Sequence, residues 1–270
     1  MKITVFTGNQ PRHVALIYAL ADVAEEVFAV QECSTLFPGQ VADFYPKSDV
    51  MQRYFQRVIA AEHAVFGSPR FLPPNARCIC MKAGDINCVP LEVLNPSLHS
   101  DAYIVFGASY IKGRLCDELA ARRAYNIHMG ISPYYRGSSC NFWALYDKRS
   151  DLVGATIHLL SSGLDSGAML FHALPAADTD DGFLLGMRAV KAAHDSLVQA
   201  LQDGKLRFLE PIKQNKSLEM RYTRNADFTD TVAEEYLQRP DLPNDLRSAL
   251  QQRDISQFLR PFVGSASAAA

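Results

Sequence analysis

The sequence predicts an α/β fold with an open, mostly parallel sheet flanked by helices, an arrangement of the Rossmann-like kind. The first observation is that short apolar runs, several of them β-branched, alternate with longer stretches of helical periodicity through the first two-thirds of the chain. The second is that this strand–helix–strand order favours parallel pairing, because the helices supply the crossover connections. The third is the length of 270 residues, which suits one large domain or two small ones and allows a sizeable core.

The first strand and the first helix are predicted by the residues that begin and end them. Lys2–Phe6 is a β-branched run closed by Gly8, and Pro11 opens a helix that continues to Ala21. The same two periodicities predict a strand at 27–30, a helix at 47–66, strands at 77–81 and 102–106, a helix at 115–123 and a strand at 124–127. Because ligands of such sheets bind outside the carboxyl ends of the strands, we expect the site there.

The pattern changes after residue 150. Two apolar runs at 153–160 and 168–174 are separated by a Gly/Ser-rich segment, which predicts a β-hairpin or a tight re-entrant loop. A long helix is predicted from Asp181 to Leu201, since Gly204 follows its end. A strand-like piece near 206–209 and two short helices follow. The sequence therefore predicts a main domain at 1–204, a short mixed extension at 205–263 and a disordered tail at 264–270.

Composition narrows the functional class. Hydrophobic residues make up 48% and charged residues 21% of the chain, which excludes the disordered and fibrous classes. The net charge of -2 argues against a general nucleic-acid or membrane-surface binder. No apolar run approaches the roughly 18 residues of a membrane-spanning helix, and the start lacks the apolar core of a signal peptide. The six scattered cysteines favour free thiols, so we expect a cytoplasmic protein.

Several cofactor motifs are missing from the sequence. It contains no G-x-G-x-x-G and no Walker A motif, so a nicotinamide or ATP site is unsupported. The pair Cys78-x-Cys80 has no second pair at zinc spacing. We therefore expect no metal ion.

The segment at 125–143 is the densest in chemistry-bearing residues. Asn126 and His128 stand two apart at the end of a predicted strand, so their side chains point the same way. A loop rich in Gly, Ser and Pro follows and carries Arg136. Taken alone, the pair fits a purely structural role, with Asn126 capping the strand end and His128 as a satisfied polar residue, as well as it fits a site. Its position at a strand's carboxyl end favours a site.

A second segment contains His158 within a strand and Asp165 in the loop that follows. Gly163 and Gly167 flank Asp165 on both sides, which lets the backbone approach a ligand closely. Taken alone, this pattern favours a polar turn without chemistry. It is not the nucleophile elbow of a hydrolase, because an aspartate stands where such an enzyme has serine.

Together the two segments resemble the folate-dependent formyltransferases. That family includes glycinamide ribonucleotide formyltransferase, methionyl-tRNA formyltransferase and the amino-sugar N-formyltransferases. Its pattern is Asn-x-His at a strand end, a proline-containing loop with Tyr-Arg-Gly, a Thr-(Ile/Val)-His strand and a Gly-Leu-Asp-(Thr/Ser)-Gly loop. In this chain the four parts, in the same order, are Asn126–His128, Tyr135–Gly137, Thr156–His158 and Gly163–Gly167. The resemblance runs from about residue 100 to 175, and the earlier strands are compatible with the same fold.

The resemblance implies transfer of a formyl group from N10-formyltetrahydrofolate, used as a co-substrate, to an amine. Such a reaction passes through a tetrahedral intermediate with a developing oxyanion, so it needs a hydrogen-bond donor and a proton shuttle. By resemblance, Asn126 supplies the donor, and His128 donates to the oxyanion or relays a proton near neutral pH. Asp165 then holds the imidazole or an ordered water in orientation, as a buried carboxylate does in a catalytic triad.

The resemblance also implies binding residues. In the family, backbone groups of a strand end and of the aspartate loop grip the pterin. The matching residues here are Phe106, Gly107, Ala108, Ser109, Tyr110, Ile111 and Leu164. A plain strand-to-helix turn is the alternative for this stretch, and His158 is equally a core or a site histidine. The candidate acceptor-binding residues are Arg12, Tyr135 and Arg136, with a surface salt bridge as the alternative for Arg136.

Departures from the family pattern bear on the acceptor. The purine-pathway enzyme has a glycine-rich turn that cradles phosphate, whereas this chain has Gly8-Asn9-Gln10-Pro11-Arg12. The turn still opens a helix, so an anion could bind at that helix N-terminus with Arg12 supplying charge. The chain also reads His-Met-Gly-Ile-Ser-Pro where the family commonly has His-Pro-Ser-Leu-Leu-Pro. The tRNA enzyme adds a carboxyl-terminal β-barrel, for which the 205–263 extension is too short.

These observations lead to one interpretation and several rivals. We expect an N-formyltransferase whose acceptor is a small-molecule primary amine on a nucleotide-linked amino sugar, with no nucleic-acid or membrane partner. A homodimer is compatible with the sequence. Glycinamide ribonucleotide formylation and formyl-folate hydrolysis are alternatives. A non-catalytic folate-binding scaffold is a third, against which the intact trio Asn126, His128 and Asp165 argues.

Overall fold

The computed structural model describes residues 1–38, 48–239 and 242–265. Helices and strands alternate along most of this length. In chain order the elements are β1 (Lys2–Thr7), α1 (Pro11–Ala21), β2 (Glu26–Cys33), α2 (Asp49–Phe66), β3 (Ala76–Lys82), β4 (Ala102–Phe106), α3 (Gly113–Ala121), β5 (Tyr125–His128), β6 (Tyr135–Gly137), α4 (Cys140–Tyr146), β7 (Ala155–Leu159), β8 (Met169–Leu174), α5 (Gly182–Gln202), β9 (Arg221–Thr223), α6 (Asp230–Leu237), α7 (Leu242–Gln251) and β10 (Phe262–Val263).

Eight strands form the main sheet of the described residues, in the order β10-β8-β7-β5-β4-β1-β2-β3. Strands β1 to β5 run parallel, and β7 runs antiparallel to both β5 and β8. The strand order reverses at β1, which lies between β4 and β2. This arrangement confirms the predicted open, mostly parallel sheet flanked by helices, and it confirms the hairpin predicted at 153–174.

Apolar layers cover both faces of the sheet. On one face α1 and α5 pack through residues such as Leu16, Leu20 and Leu197. On the other face α3 packs through Leu115 and Leu119. The sheet is therefore buried on both sides, which is why its central strands are continuous apolar runs.

A third apolar cluster joins the extension to the main domain. It combines Tyr54 of α2, Phe142 and Trp143 of α4 and Tyr236 of α6. The 2-stranded sheet β6-β9 adds a second link, because β9 of the extension pairs in parallel with β6. Residues 205–263 thus pack against the segment that carries the family-like motifs.

Some predicted boundaries and elements differ from the structure. The strand-like piece near 206–209 is wrong: Leu206–Phe208 is a short 3-10 turn, since Leu206 is buried while Phe208 is 75% exposed and no strand pairs with it. The third helix begins earlier than predicted, at Gly113, and ends at Ala121. The predicted helix at 47–66 begins at Asp49, with Ser48 as its cap. Residue 47 and tail residues 266–270 lie outside the described residues.

The long helices of the structure are amphipathic rather than apolar all round. None of those in the described ranges is both long enough and apolar enough to cross a membrane.

Candidate active site

His128 and Asp165 come from different elements, and their side chains meet at the carboxyl end of β5. His128 ends β5, and Asp165 lies in the loop between β7 and β8. The Nδ1 atom of His128 is 3.3 Å from Oδ1 of Asp165. The His128 side chain is 6% exposed and that of Asp165 is 13% exposed. The two side chains that the sequence placed in one catalytic unit are therefore in contact and shielded from water.

This contact sets the charge of both groups. Burial alone lowers the pKa of His128, but the adjacent Cys140 and Asp165 raise it by more, so it lies well above its ordinary value. Burial raises the pKa of Asp165, while His128, His158 and Arg136 lower it by more. The second ring nitrogen of His128, Nε2, is 3.3 Å from the carbonyl oxygen of Tyr135. Both neighbours accept hydrogen bonds, so an imidazolium satisfies them together.

Asn126 is held by His158 on the neighbouring strand. The antiparallel register of β5 and β7 places the two residues opposite each other, with Asn126 Nδ2 2.9 Å from His158 Nε2. The Nδ1 atom of His158 is 2.8 Å from the Leu159 carbonyl oxygen, so Nδ1 carries the proton and Nε2 accepts from the amide. Burial lowers the pKa of His158 to about 4, which keeps the ring neutral. Among the described residues, the second N–H of the Asn126 amide has no protein partner.

The loop that carries Asp165 is shaped by close approaches. Asp165 adopts φ +46°, in the left-handed region that non-glycine residues seldom occupy. A Cβ atom at Gly167 would overlap the Leu159 carbonyl oxygen, so only glycine fits there. His158 Nε2 lies 4.0 Å from Asp165 Oδ1. The loop therefore folds back over the side chains of β5.

The predicted donor-binding residues form the turn after β4. Phe106 and Ile111 are buried, Gly107 has φ +65°, and Ser109 donates its backbone N–H to Glu32. The turn touches the aspartate loop, because the Tyr110 hydroxyl donates to the Ser162 carbonyl oxygen. Ala108 is half-buried, and Leu164 in the aspartate loop is 40% exposed. The structure thus brings both predicted parts of a pterin site next to each other.

The three predicted acceptor-binding side chains all have protein partners. Arg12 donates to Oε1 of the buried Glu62 through its guanidinium at 2.8 Å and its backbone N–H at 3.0 Å. The Tyr135 hydroxyl donates to Asp147 at 3.1 Å. Arg136 pairs with Glu219 at 2.8 Å and donates to the Leu164 carbonyl oxygen at 3.2 Å. In the described part of the chain, the Arg12 side chain makes no hydrogen bond or ion pair with Asn126, His128 or Asp165.

Sequence reasoning missed two residues of the extension that reach this site. Gln214 donates to the backbone of the aspartate loop, and Glu219 fixes Arg136. The residue types alone give no indication of such contacts, because an amide or a carboxylate in a polar extension is usually solvated. Among the described residues, no group of three His, Cys, Asp or Glu side chains is arranged to hold a metal ion.

Comparison with known proteins adds sequence and fold evidence. No family profile matches the chain. Over 129 residues, 47% of the chain, it is 29% identical to the methionyl-tRNA formyltransferase of Trichormus variabilis. The match covers 38% of that protein, so the chain spans less than half the length of this curated relative.

Two solved structures share the fold. A sugar N-formyltransferase from a Shewanella species superposes with a TM-score of 0.51 at 18% identity, covering 84% of the chain and 78% of that protein. The N-formyltransferase of Helicobacter canadensis, solved with folinic acid and dTDP-3-aminofucose, superposes with a TM-score of 0.52 at 12% identity, covering 97% and 84%. The sequence match and the fold agree with the motifs, so the chain is similar to the folate-dependent formyltransferases in sequence and in fold.

Proposed function

We propose that the chain is an N-formyltransferase that moves the formyl group of N10-formyltetrahydrofolate to a primary amine. The observation that carries the proposal is the buried His128–Asp165 pair beside an Asn126 amide oriented by His158. This arrangement combines an oriented neutral donor with a charged, shielded proton carrier. Attack on a formyl carbon needs both.

Each residue has a distinct role in the proposed reaction. Asn126 donates its free amide N–H to the oxyanion that develops when the amine nitrogen bonds to the formyl carbon. His128, held as an imidazolium by Asp165, gives a proton to the departing folate N10 as its bond to that carbon breaks. The neutral imidazole then takes the proton that the attacking amine loses. The carboxylate of Asp165 keeps the ring in orientation throughout.

The donor is proposed to lie between the turn after β4 and the aspartate loop. The backbone groups of 107–110 and the exposed Leu164 would contact the pterin. The buried side chains of Phe106 and Ile111 anchor the two ends of this turn in the core. The Helicobacter canadensis N-formyltransferase, which shares the fold, was solved with folinic acid, and this supports the proposal of a folate donor. A nucleotide-linked amino sugar is the proposed acceptor, supported by the dTDP-3-aminofucose in the same structure.

The second candidate function is formylation of methionyl-tRNA. It is favoured by the sequence match, since the curated relative is a methionyl-tRNA formyltransferase. The chain's net charge of -2 weighs against it, because binding of a polyanion relies on Lys and Arg contacts to phosphate.

The proposal includes a reducing, cytoplasmic setting. All six cysteines are free, and three of them, Cys78, Cys80 and Cys88, are exposed. Exposed thiols persist where glutathione keeps them reduced, which supports this location.

The decisive experiment is incubation with formyl-folate and a panel of amines, followed by mass spectrometry for the gain of one formyl group. The panel contains nucleotide-linked amino sugars, glycinamide ribonucleotide and methionyl-tRNA. Formyl transfer to an amino sugar is expected, and His128→Ala serves as the inactive control. Formate released without any amine would identify a hydrolase. A folded protein that neither binds formyl-folate nor turns it over would overturn the proposal.

Arg12 tests where the acceptor's phosphate binds. The first turn opens α1, whose N-terminus favours an anion, but Glu62 already neutralises the Arg12 guanidinium. Arg12→Ala should therefore raise the acceptor KM only about twofold to fivefold, with donor affinity and turnover at saturation unchanged. Glu62→Gln, which releases Arg12, should lower the same KM. If neither change alters KM, the phosphate binds elsewhere, and the basic residues of 213–224 are the next to test.

A further inference from the structure

Residues 212–223 of the extension lie against the loop that carries Asp165. Two backbone pairings anchor this 212–223 segment. Ile212 exchanges two N–H···O bonds of 2.8 Å with Met169 at the start of β8, and β9 pairs with β6. The segment is therefore fixed at both ends to elements that border the site.

Gln214 uses its side chain to bind the backbone of that loop. Its Nε2 atom donates to the carbonyl oxygen of Asp165 at 2.7 Å and to that of Gly167 at 2.9 Å. A primary amide has two N–H groups, and both are used. The opposite amide orientation would place Oε1 against two carbonyl oxygens, so these contacts fix the amide in one orientation.

The loop needs such support because its turn is an unfavourable one. Asp165 at φ +46° adopts a left-handed conformation that is disfavoured for a residue with a side chain. Among the described residues, the only other side chain that hydrogen-bonds to the backbone of 164–167 is Arg136, which donates to the Leu164 carbonyl oxygen. Gln214 thus binds the one residue of the loop whose carboxylate contacts His128.

We propose that Gln214 is a positioning residue that holds the Asp165 backbone so that its carboxylate stays on Nδ1 of His128. The inference rests on the proposed formyl transfer for its kinetic consequence and on the structure alone for its effect on His128. Gln214 is neutral, so its loss changes the placement of Asp165 without removing a charge.

The groups that face the pair limit how the effect can be interpreted. His128 faces Asp165, Cys140 and His158, and Asp165 also faces Arg136. None of these is altered when Gln214 is replaced. A change in the pKa of His128 therefore reports the distance between His128 and Asp165.

The test is Gln214→Met, which keeps the length of the side chain but removes both donors. Gln199→Met, the same change at an exposed position of α5, is the matched control. For Gln214→Met we expect turnover to fall about tenfold to a hundredfold, because small displacements of a catalytic group cost that much, with the acceptor KM little changed. A histidine NMR titration, with His128 assigned through a His128→Asn variant, should show its pKa falling toward 6.5.

Two further outcomes keep the inference separate from the proposed function. If wild-type protein formylates no amine, the formyl-transfer proposal fails, and the NMR titration still tests Gln214. If Gln214→Met does not fold, Gln214→Asn keeps a neutral amide on a side chain one methylene shorter, so its donors no longer reach the two carbonyl oxygens, and the same losses of turnover and of the His128 pKa are expected. A folded Gln214 variant with unchanged turnover and an unchanged His128 pKa would overturn the inference.

Discussion

His128 and His158 lie side by side, with ring centroids 6.4 Å apart, yet the protein shifts the pKa values of the two rings in opposite directions. Both are almost fully buried, at 6% and 2% exposure. His128 has a carboxylate on one ring nitrogen, and its pKa is raised. His158 has a backbone carbonyl and an amide, and its pKa falls to about 4. Burial is common to the two rings, so the difference lies in their partners.

The comparison assigns different work to each ring. A histidine that holds its proton beside a carboxylate can act as an acid, whereas a neutral histidine with a fixed tautomer can only orient its neighbour. The proposed mechanism therefore separates proton transfer at His128 from orientation of the Asn126 amide at His158.

Removing the charged ring should have the largest effect. We expect His128→Ala to lower turnover by about a hundredfold to ten-thousandfold, the usual contribution of a general acid–base group. Thermal unfolding should remain cooperative, and the donor should still raise the melting temperature by binding the native state. Steady-state kinetics at saturating substrates measure the loss. Near-normal turnover in this variant would exclude His128 from proton transfer.

Changes to Asn126 and to the neutral ring of His158 should lower turnover less than the loss of His128 does. Asn126→Ala should lower turnover about a hundredfold to a thousandfold, as loss of an oxyanion donor does. His158→Phe keeps the Asn126 amide but frees its orientation, so we expect a smaller loss that is not additive with Asn126→Ala. A double-mutant cycle of kcat measures this coupling. Additive losses would show that the two side chains act independently.

His158 should also make the protein less stable in acid. Its pKa is about 4 when folded and about 6.5 when unfolded, so the unfolded chain binds an extra proton as pH falls through that window. Stability is therefore lost between pH 6.5 and 4, by about 2 kcal/mol at pH 4.5 from this ring alone. His172 and His194, with pKa values lowered to about 4 and about 3, act in the same direction.

The measurement is urea unfolding of wild type and His158→Gln at pH 7 and pH 4.5. Glutamine keeps an acceptor for Asn126 but does not titrate, so the variant should lose about 2 kcal/mol less between the two pH values. Equal losses in both proteins would mean that His158 is protonated in the folded state.

The smallest effect is expected from Cys140, the other neighbour of the charged ring. Cys140 is 1% exposed and contributes to the raised pKa of His128. Cys140→Ala should lower that pKa less than Asp165→Asn does, because the carboxylate of Asp165 is ionised whereas a thiol is ordinarily neutral. Histidine NMR titration of the two variants measures the order. A larger shift in Cys140→Ala would make the thiol the dominant partner.

Local residue types were sufficient for most of the sheet. The β-branched run at β1 and Pro11 at the start of α1 define those elements without reference to distant residues. Strand β6 could not be found in this way, since Tyr135–Gly137 is extended only because Arg221–Thr223 pairs with it. Its sequence of two large polar residues and a glycine fits a loop equally well.

The same limit applies to the site. Asn126, His128 and Asp165 could be named because their spacing forms a family pattern, and the structure brings them together. The tie between Gln214 and the backbone of the aspartate loop depends on folding across almost fifty residues. Every residue has a backbone carbonyl, so the residue types do not indicate which carbonyl oxygens Gln214 binds.

The position of Gln214 also has a consequence for biosynthesis. A chain emerging from the ribosome exposes Asn126, His128 and Asp165 before residues 212–223 are made, and domains fold as their residues become available. A nascent or shortened chain that stops before Gln214 lacks both amide bonds to the loop, although the three side chains of the proposed catalytic trio are already present. Completion of the site is thereby delayed until late in synthesis, so premature termination yields a protein with the reactive groups but without the restraint that aligns them.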